Sequence, residues 1–312
     1  MVINNMSKLE ENQQKIYELE QVILQLDNET AEFKAKTKEL LKLKEETYSN
    51  LTPWDRVLIA RGQSRLKASF LINKLFTDFI ELHGDQLFAE DSSIIAGIGM
   101  LGDMPVTVLA QAKGTNFNES IKRNFGMTSP EGFRKTLRLA KEASKFKRPI
   151  ITIVDTSGAY PGKGAEERGQ ARAIAENLME FSKLDVPVIA IVLSEGGSGG
   201  ALALTVSDYI FMFENAVYSV LSPEGFSSIL FKNAKSAEES ANIMKLTSQD
   251  LYEMGIVDEI IKEPLGGVKV PTEEFINDLK EKILNVINDL KQESKEKLLE
   301  NRYKKFRKIG EC

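Results

Sequence analysis

Two segments of similar design decide the fold: PIITIVDTSGAYPG at residues 149–162 and PVIAIVLSEGGSGG at residues 187–200. Each begins with a proline, continues as an apolar run, Ile150–Val154 or Val188–Leu193, and ends in a glycine-rich turn. Apolar runs of this length predict strands buried on both faces, as in a layered α/β core. If the two strands are parallel neighbours, both turns lie at one edge of the sheet.

A helix is predicted after each turn, and the alternation of strands and helices continues on either side. The first of these helices is expected to bury Ala171, Ile174, Ala175 and Leu178, and the second to span Ala201–Val206. The other predicted strands are Ile94–Met100, Val106–Ala110, Tyr209–Phe213 and Val217–Val220, with a hairpin turn at Gly102-Asp103; the other predicted helices are Lys67–Leu82, Ser129–Phe146 and one after Ser222-Pro223.

The chain is predicted to have three parts: a helical arm at 1–50, a main α/β domain at 51–265 and a C-terminal helical extension at 266–312, helical over Thr272–Lys308. The arm has neither Gly nor Pro between Lys8 and Glu46. Its apolar residues recur in a heptad frame, with Leu9, Ile16 and Ile23 on one seam and Leu19, Leu26, Phe33 and Leu40 on the other. Polar residues interrupt both seams, which favours an arm packed on its own domain or on a partner subunit over a free coiled coil.

Composition restricts the class of protein. The 312 residues carry a net charge of −5, so nucleic acid and anionic membrane surfaces are not expected partners. The single cysteine, Cys312, permits neither an intrachain disulfide nor a cysteine-based metal cage, and no metal site is expected in this chain. With no signal peptide pattern and no apolar run of the roughly 20 residues needed to cross a bilayer, a cytoplasmic location is predicted.

The chemistry is expected at the two turns. Gly196, Gly197, Gly199 and Gly200 lie between a buried strand and a helix, where the backbone can approach a ligand and helix N–H groups lack partners. Such a turn alone is equally consistent with tight packing of a helix on a strand. The second turn lacks the Lys-Ser/Thr of a phosphate-binding loop, and the dinucleotide fingerprint is missing. The remaining interpretation is an oxyanion hole built from backbone amides.

Four motifs carry a resemblance to a known family: DTSGAYPGKGAEERGQ (155–170), SEGGSGGALAL (194–204), KRNFGM (122–127) and YSVLSPEG (218–225). In this order they resemble the alpha subunits of bacterial acetyl-CoA carboxylase carboxyltransferases. The likeness runs from about Leu51 to Leu265 and includes EPLGG at 263–267. Ser157 stands where this family usually has proline, which affects the fine shape of the first turn.

The resemblance implies a crotonase-like α/β fold of repeated ββα units, with an N-terminal helical arm and C-terminal helices. It also implies transfer of CO2 from carboxybiotin to acetyl-CoA, giving malonyl-CoA for fatty acid synthesis. The implied partners are a carboxyltransferase beta subunit in an α2β2 assembly, the biotin carboxyl carrier protein and biotin carboxylase. Biotin would arrive on the carrier, no cofactor would be bound covalently here, and zinc would belong to the beta subunit.

In the implied reaction, carboxybiotin releases CO2 and becomes an oxyanion that deprotonates acetyl-CoA, so no side-chain base is needed. The amides of Gly199 and Gly200 are the first candidates for an oxyanion hole, with Gly158 and Ala159 as the second contribution. Gly196, Gly197, Ser198 and Tyr160 are candidates for substrate binding.

Charged residues near the turns are expected to play supporting parts. Asp155 and Glu195 begin the turns and are predicted to cap them or bond local amides. His83, the only histidine, is predicted to be a structural or surface residue and not a catalytic one. Surface roles are predicted for Lys122 and Arg123, and a solvated helix start for Glu166, Glu167 and Arg168.

Three rival interpretations remain open. A crotonase-type acyl-CoA hydratase or isomerase would need an acid/base carboxylate in the pocket. A serine hydrolase would need His83 to reach Ser157 or Ser198. An assembly scaffold built around the arm would bind a partner without turnover.

Overall fold

A computed structural model describes residues 7–233 and 236–311. Its strands are β1 (Thr77–Glu81), β2 (Ile94–Leu101), β3 (Met104–Gln111), β4 (Ile150–Thr156), β5 (Val188–Gly197), β6 (Tyr209–Phe213), β7 (Val217–Ser219) and β8 (Glu259–Ile261). Its helices are α1 (Lys8–Ile23), α2 (Ala31–Tyr48), α3 (Pro53–Arg61), α4 (Ala68–Leu75), α5 (Phe117–Lys122), α6 (Pro130–Lys145), α7 (Lys163–Glu167), α8 (Gln170–Phe181), α9 (Ser198–Leu202), α10 (Pro223–Leu230), α11 (Ala237–Ile243), α12 (Ser248–Glu253), α13 (Glu273–Leu290) and α14 (Lys295–Arg307).

One sheet organises the chain, in the order β1-β2-β3-β4-β5-β6-β8, with β7 paired to β5 beyond the end of β6. β1, β2 and β3 are antiparallel, and the pairs from β3 to β8 are parallel. In the centre, Ile150 pairs with Val188 and Val154 with Val192, and every residue of β4 and β5 is buried. The two apolar segments are therefore buried strands, as their composition predicts, and they are parallel neighbours, as the convergence of the two turns requires.

The hairpin of β2 and β3 also follows the sequence prediction. Gly102 has a φ of +62°, a value that glycine adopts without steric strain, and Leu101 pairs with Met104 across the turn. The strands at 209–213 and 217–219 and the helix that begins at Pro223 lie where the sequence predicts them.

Three predicted elements in or next to the sheet have different bounds. The helix predicted for Lys67–Leu82 ends at Leu75, because Phe76 turns to an extended conformation and Thr77–Glu81 adds an edge strand to β2. The strand predicted for Val188–Leu193 continues to Gly197, because its last residues pair with β7. The helix predicted for Ala201–Val206 is instead the single turn Ser198–Leu202.

The arm is two helices and not one. Residues 24–30 break it, and Thr30 starts α2 by accepting a hydrogen bond from Phe33 N. Lys44 Nζ lies 2.6 Å from a Glu20 carboxylate oxygen, so α2 folds back along α1. Leu9 and Ile16 are buried, which agrees with an arm that packs on other parts of its own chain.

The buried face of α8 also differs from the sequence prediction. Ala171 and Ala175 are exposed, while Gln170, Ala173, Asn177 and Phe181 face the core. Asn177 Nδ2 donates to Thr136 Oγ1 and Gln170 Nε2 donates to Thr128 O, so two polar side chains are accommodated inside. The prediction is half right: Ile174 and Leu178 are half-buried and pack against core residues, whereas apolar periodicity does not anticipate that two hydrogen-bonded polar side chains share the buried face.

A buried ion pair fastens α14 to the sheet. The Arg302 guanidinium is 1% exposed and bonds both oxygens of Asp208 at 2.8 and 2.6 Å. It also donates to the carbonyl oxygens of Phe181, Leu184 and Val186. Burial raises the pKa of Asp208, while Arg302 opposes that rise. Each charge is the main ionic compensation for the other, and Val188 N–H also donates to Asp208 Oδ2.

The predicted helical stretch Thr272–Lys308 is present as α13 and α14, separated at 291–294. Among the described residues, no helix is both long and apolar enough to cross a membrane. The division at residues 50 and 265 stays a prediction. Cys312, on which the cysteine argument rests, lies outside the described residues.

We expect Arg302→Met to lower the free energy of unfolding by roughly 3 to 5 kcal/mol, because it removes the ion-pair partner of the buried Asp208 carboxylate. Urea unfolding followed by circular dichroism measures this. Lys304→Met is the control, since Lys304 lies on the same helix with its side chain 61% exposed and pairs only with exposed Glu300. Arg302→Met/Asp208→Asn should recover part of the loss; equal stability of the single variant and the control would contradict the argument.

Candidate active site

The two glycine-rich turns touch each other at the carboxyl ends of β4 and β5. A Cβ atom on Gly200 would lie 2.5 Å from Ala159 N and 2.6 Å from Gly158 C. A Cβ on Gly197 would lie 2.1 Å from Ser157 O. Backbone packs directly against backbone here, so a side chain at either glycine would force the turns apart.

Amides of the second turn lie at the start of α9. Gly199 and Gly200 occupy its second and third positions, where N–H groups precede the first intrahelical hydrogen bond, and no side chain caps the helix. Ser198 has a φ of +55°, which is uncommon outside glycine and marks local backbone strain. This strained turn changes the chain direction abruptly from strand to helix and leaves the Ser198 side chain exposed.

The first turn is only partly available. Gly158 has a φ of +147°, and its N–H donates to Thr156 Oγ1 at 3.0 Å. Tyr160 N–H donates to Thr128 O at 2.9 Å. Within the described residues Ala159 N–H has no hydrogen-bond acceptor. Of the two amides predicted here, Ala159 is therefore the better placed donor, and Thr156 is a participant that the sequence analysis missed.

A largely apolar cavity of about 420 Å³ opens beside the second turn. Ser198 and Gly199 line it, together with Leu202, Ile210, Tyr218, Ser219, Val220, Leu251, Ile256, Phe306 and Ile309. The Tyr218 hydroxyl lies 2.7 Å from Thr205 Oγ1, and burial raises the pKa of this phenol. The YSVLSPEG motif thus contributes to the cavity wall, whereas Gly158, Ala159 and Tyr160 do not line it. A smaller and more polar cleft of about 310 Å³ lies between the arm and α3, and no residue of either turn lines it.

Charged groups converge below the turns. Lys113 Nζ lies 3.2 Å from Asp155 Oδ1 and 2.8 Å from Glu195 Oε2. Arg61 Nε lies 2.9 Å from Glu195 Oε1, and Arg61 also pairs with Glu224. The prediction that Asp155 and Glu195 bond local amides is wrong, because both carboxylates bind cations brought in from distant segments.

These ion pairs set the protonation states. Burial raises the pKa of Glu195, but the charges of Lys113 and Arg61 outweigh it and hold that pKa below its usual value. Burial lowers the pKa of Lys113, but Asp155 and Glu195 outweigh it and hold that pKa above its usual value. Glu195 is therefore ionised and Lys113 charged near neutral pH, an arrangement that does not provide a carboxylic acid for acid/base catalysis.

The other predicted residues lie outside this site. His83 is exposed, with Nδ1 3.9 and 3.8 Å from carboxylate oxygens of Glu81 and Glu90. It follows the edge strand β1, four strands from β5, a separation on the order of 19 Å at about 4.8 Å per strand.

Flanking charged residues bind within the chain. Arg123 donates to Glu119 and to Ser92 O and is half-buried, while Lys122 is exposed. The Arg168 guanidinium pairs with Glu131 and lies 4.7 Å from the centre of the Phe88 ring. Arg168 therefore makes specific contacts within the chain, beyond the solvated helix start that the sequence predicts. Among the described residues no group of three or more His, Cys, Asp or Glu side chains could hold a metal ion.

The family model described as acetyl co-enzyme A carboxylase carboxyltransferase-like matches residues 3–310, and these include both turns. This chain belongs to that family. A Clostridium botulinum protein named acetyl-coenzyme A carboxylase carboxyl transferase subunit alpha is 55% identical over 259 residues, which cover 83% of this chain and 94% of that protein. A protein of the same name from Alkaliphilus oremlandii is 48% identical over 308 residues, 96% of this chain and 98% of that protein. Membership places the chain in a multi-subunit carboxylase.

Solved structures confirm the predicted crotonase-like fold. A Pseudomonas malonate decarboxylase hetero-tetramer in complex with coenzyme A contains a chain with a TM-score of 0.56 at 16% identity, over 67% of this chain and 84% of that chain. A transcarboxylase 12S structure gives a TM-score of 0.60 at 18% identity, over 77% of this chain and 45% of that chain. At these identities the likeness shows the fold alone.

We expect Gly200→Ala to lower turnover on the order of 100-fold, because its methyl group would push the two turns apart and misplace their amides. Gly164→Ala is the control outside the two turns: its methyl would meet only the flexible end of the Arg168 side chain, at 3.0 Å, and most activity should remain. Steady-state kinetics and thermal melting of both variants, assembled with the partner subunit, test this. Equal losses in the two variants would contradict the role assigned to turn-to-turn contact.

Proposed function

We propose that this chain is the alpha half of a carboxyltransferase that moves the carboxyl group of carboxybiotin to acetyl-CoA, giving malonyl-CoA for fatty acid synthesis. The observation that carries the proposal is the backbone contact between the turns at 157–159 and 197–200, found in a chain of this family. It brings amides of two turns to one edge of the sheet, where developing negative charge on oxygen can be stabilised.

Backbone amides suit this reaction because the charge to be stabilised appears and disappears within one catalytic cycle. Carboxybiotin, a substrate delivered on a carrier, supplies both the carboxyl group and the base left when its N–CO2 bond breaks. That base takes a methyl proton from acetyl-CoA, and the enolate carbon forms the new bond to CO2. The chain's part is to orient the substrates, exclude water and donate hydrogen bonds from Gly199, Gly200 and Ala159.

The apolar cavity at Ser198 and Gly199 supports a site from which water is excluded. A desolvated wall next to fixed amide dipoles strengthens each hydrogen bond to a charged oxygen, since competing water is removed. Gly196 and Gly197 are buried at the end of β5, directly before the second turn, so we assign them a structural part and not a contact with substrate. Ser198 and Tyr160 stay candidates for substrate contact.

The rival enzyme classes lack their required groups. A hydratase or isomerase of this fold needs a carboxylic acid in the pocket, yet Asp155 and Glu195 share the Lys113 ammonium. A serine hydrolase would need His83 close to Ser157 or Ser198, and β1 lies across the sheet from both. A protein that served only as an assembly scaffold would not need two turns packed so closely that a side chain at Gly197 or Gly200 would collide with the backbone.

The assembly is part of the proposal. We expect a carboxyltransferase beta subunit in an α2β2 complex, with zinc in the beta subunit and neither metal nor covalently bound cofactor in this chain. The biotin carboxyl carrier protein and biotin carboxylase are the further proposed partners. We also propose a cytoplasmic location, as the sequence predicts.

We expect the isolated chain to be nearly inactive and a mixture with the beta subunit to form malonyl-CoA from acetyl-CoA and the carboxylated carrier. Chromatographic quantification of malonyl-CoA provides the measurement, with the beta subunit alone and the Gly200→Ala mixture as controls. Hydration of crotonyl-CoA by the same mixture, without malonyl-CoA, would replace this proposal with the hydratase alternative. Binding without either product would favour the scaffold.

A further inference from the structure

One ammonium group joins the first residues of both glycine-rich turns. Lys113 follows β3, and its Nζ lies between Asp155 at the end of β4 and Glu195 near the end of β5, at 3.2 and 2.8 Å. The pairing of β4 and β5 shifts register between Val154 and Thr156, so Asp155 lies at an irregularity where ladder hydrogen bonds do not fix the strand. A side-chain contact is needed there to define the backbone.

Both carboxylates are buried, and their mutual repulsion needs compensation. Asp155 is 1% exposed and Glu195 is 7% exposed. Glu195 has a second cation in Arg61, whereas neither Asp155 oxygen has a hydrogen bond of regular geometry in the described part of the chain. The ion pair with Lys113 is therefore the main compensation for the Asp155 charge.

A third motif holds Lys113 in place. In KRNFGM, Asn124, Phe125 and Gly126 all have positive φ values of 48°, 54° and 81°. A Cβ on Gly126 would lie 2.8 Å from Lys113 Cγ and 2.9 Å from Asp155 O, so this left-handed turn packs against both the lysine stem and the strand end. Non-glycine residues in this conformation persist only where the surroundings enforce it.

We propose that Lys113 is a positioning residue for the carboxyl transfer inferred above: by bridging Asp155 and Glu195 it holds the two turns in the relative placement that aligns their amides. The expected effect of Lys113 on kcat rests on the proposed function, whereas its effect on the placement of the two turns does not. Lys113 acts through the turns and is not assigned a contact with substrate.

The other charged groups facing Lys113 predict what its removal does. Three cations approach from α3 and the segment after it: Arg61, Arg65 and Lys67. Arg61 pairs with Glu195, and Arg65 pairs with Glu263. Lys67 lies near Asp155, and burial lowers the pKa of its ammonium group. Without Lys113, Asp155 and Glu195 face each other with less positive charge between them. Lys113 is one of the two cations that hold the pKa of Glu195 below its usual value, so its loss lets that pKa rise; repulsion between the carboxylates is then full at high pH and is relieved as pH falls and Glu195 takes a proton.

The experiment compares chains assembled with the beta subunit. Lys113→Met should lower kcat on the order of 100-fold with little change in the KM for acetyl-CoA, because amide placement is lost while binding surfaces remain. Relative to wild type, its kcat should recover as pH is lowered. Lys113→Met/Asp155→Asn, which removes the uncompensated charge, should regain at least roughly tenfold and lose the pH dependence. Lys163→Met, a change at an exposed side chain, is the control.

Hydrogen–deuterium exchange provides a readout independent of turnover. Peptides that cover residues 155–162 and 194–202 should exchange faster in Lys113→Met and return toward wild type in the double variant. Wild-type kcat and exchange in Lys113→Met would overturn the inference. Loss of kcat without rescue in the double variant would overturn it too, since that pattern means the ammonium charge acts directly on substrate. If the wild-type assembly makes no malonyl-CoA, the proposed function fails, while exchange still decides the role of Lys113.

Discussion

The parallel pairing of β4 with β5 is the constraint on which the rest of the structure depends. It places two chain reversals side by side, so closely that a Cβ atom at Gly197 or Gly200 would overlap the backbone of the first turn. Each strand contributes a turn at the same edge because both run in the same direction. Glycine at these two positions is thus a packing requirement as well as a source of accessible amides.

The two turns meet backbone against backbone, so interdigitating side chains do not hold them together. Other interactions must fix their relative position. The surrounding charges do this: Lys113 links the strand ends, and Arg61 links Glu195 to Glu224 at the start of α10. At the start of β6, Arg302 fastens α14 through Asp208. Buried ion pairs add little net stability compared with apolar replacements, but they penalise any arrangement in which a partner is missing. Here they select one geometry.

Local sequence pattern predicted what local physics determines. Uninterrupted apolar runs identified β4 and β5, Gly102 the hairpin, and Ser222-Pro223 a helix start, because burial and turn conformation act within a few residues. The failures have non-local causes. β1 forms only because β2 offers an edge, and the partners of Lys113 lie 42 and 82 residues away in sequence, 155 − 113 and 195 − 113. No residue pattern distinguishes Lys113 from the surface lysines. Only its position, two residues after the end of the buried strand β3, could have suggested that its side chain is enclosed.

The two turns differ in what they leave free, and that difference constrains the chemistry. Gly158 N–H is bonded to Thr156, whereas the amides at the start of α9 lie next to an apolar cavity. An anionic oxygen bound at the Gly199 amide would have a fixed donor on one side and mostly apolar side chains on the other, a setting where reorganisation costs are small. Main-chain amides also have no pKa in the working range, so they cannot intercept the proton that must move between substrates. A site of this kind stabilises charge without competing for protons, and it is consistent with this that Lys113 and Arg61 hold the neighbouring Glu195 carboxylate in its ionised form.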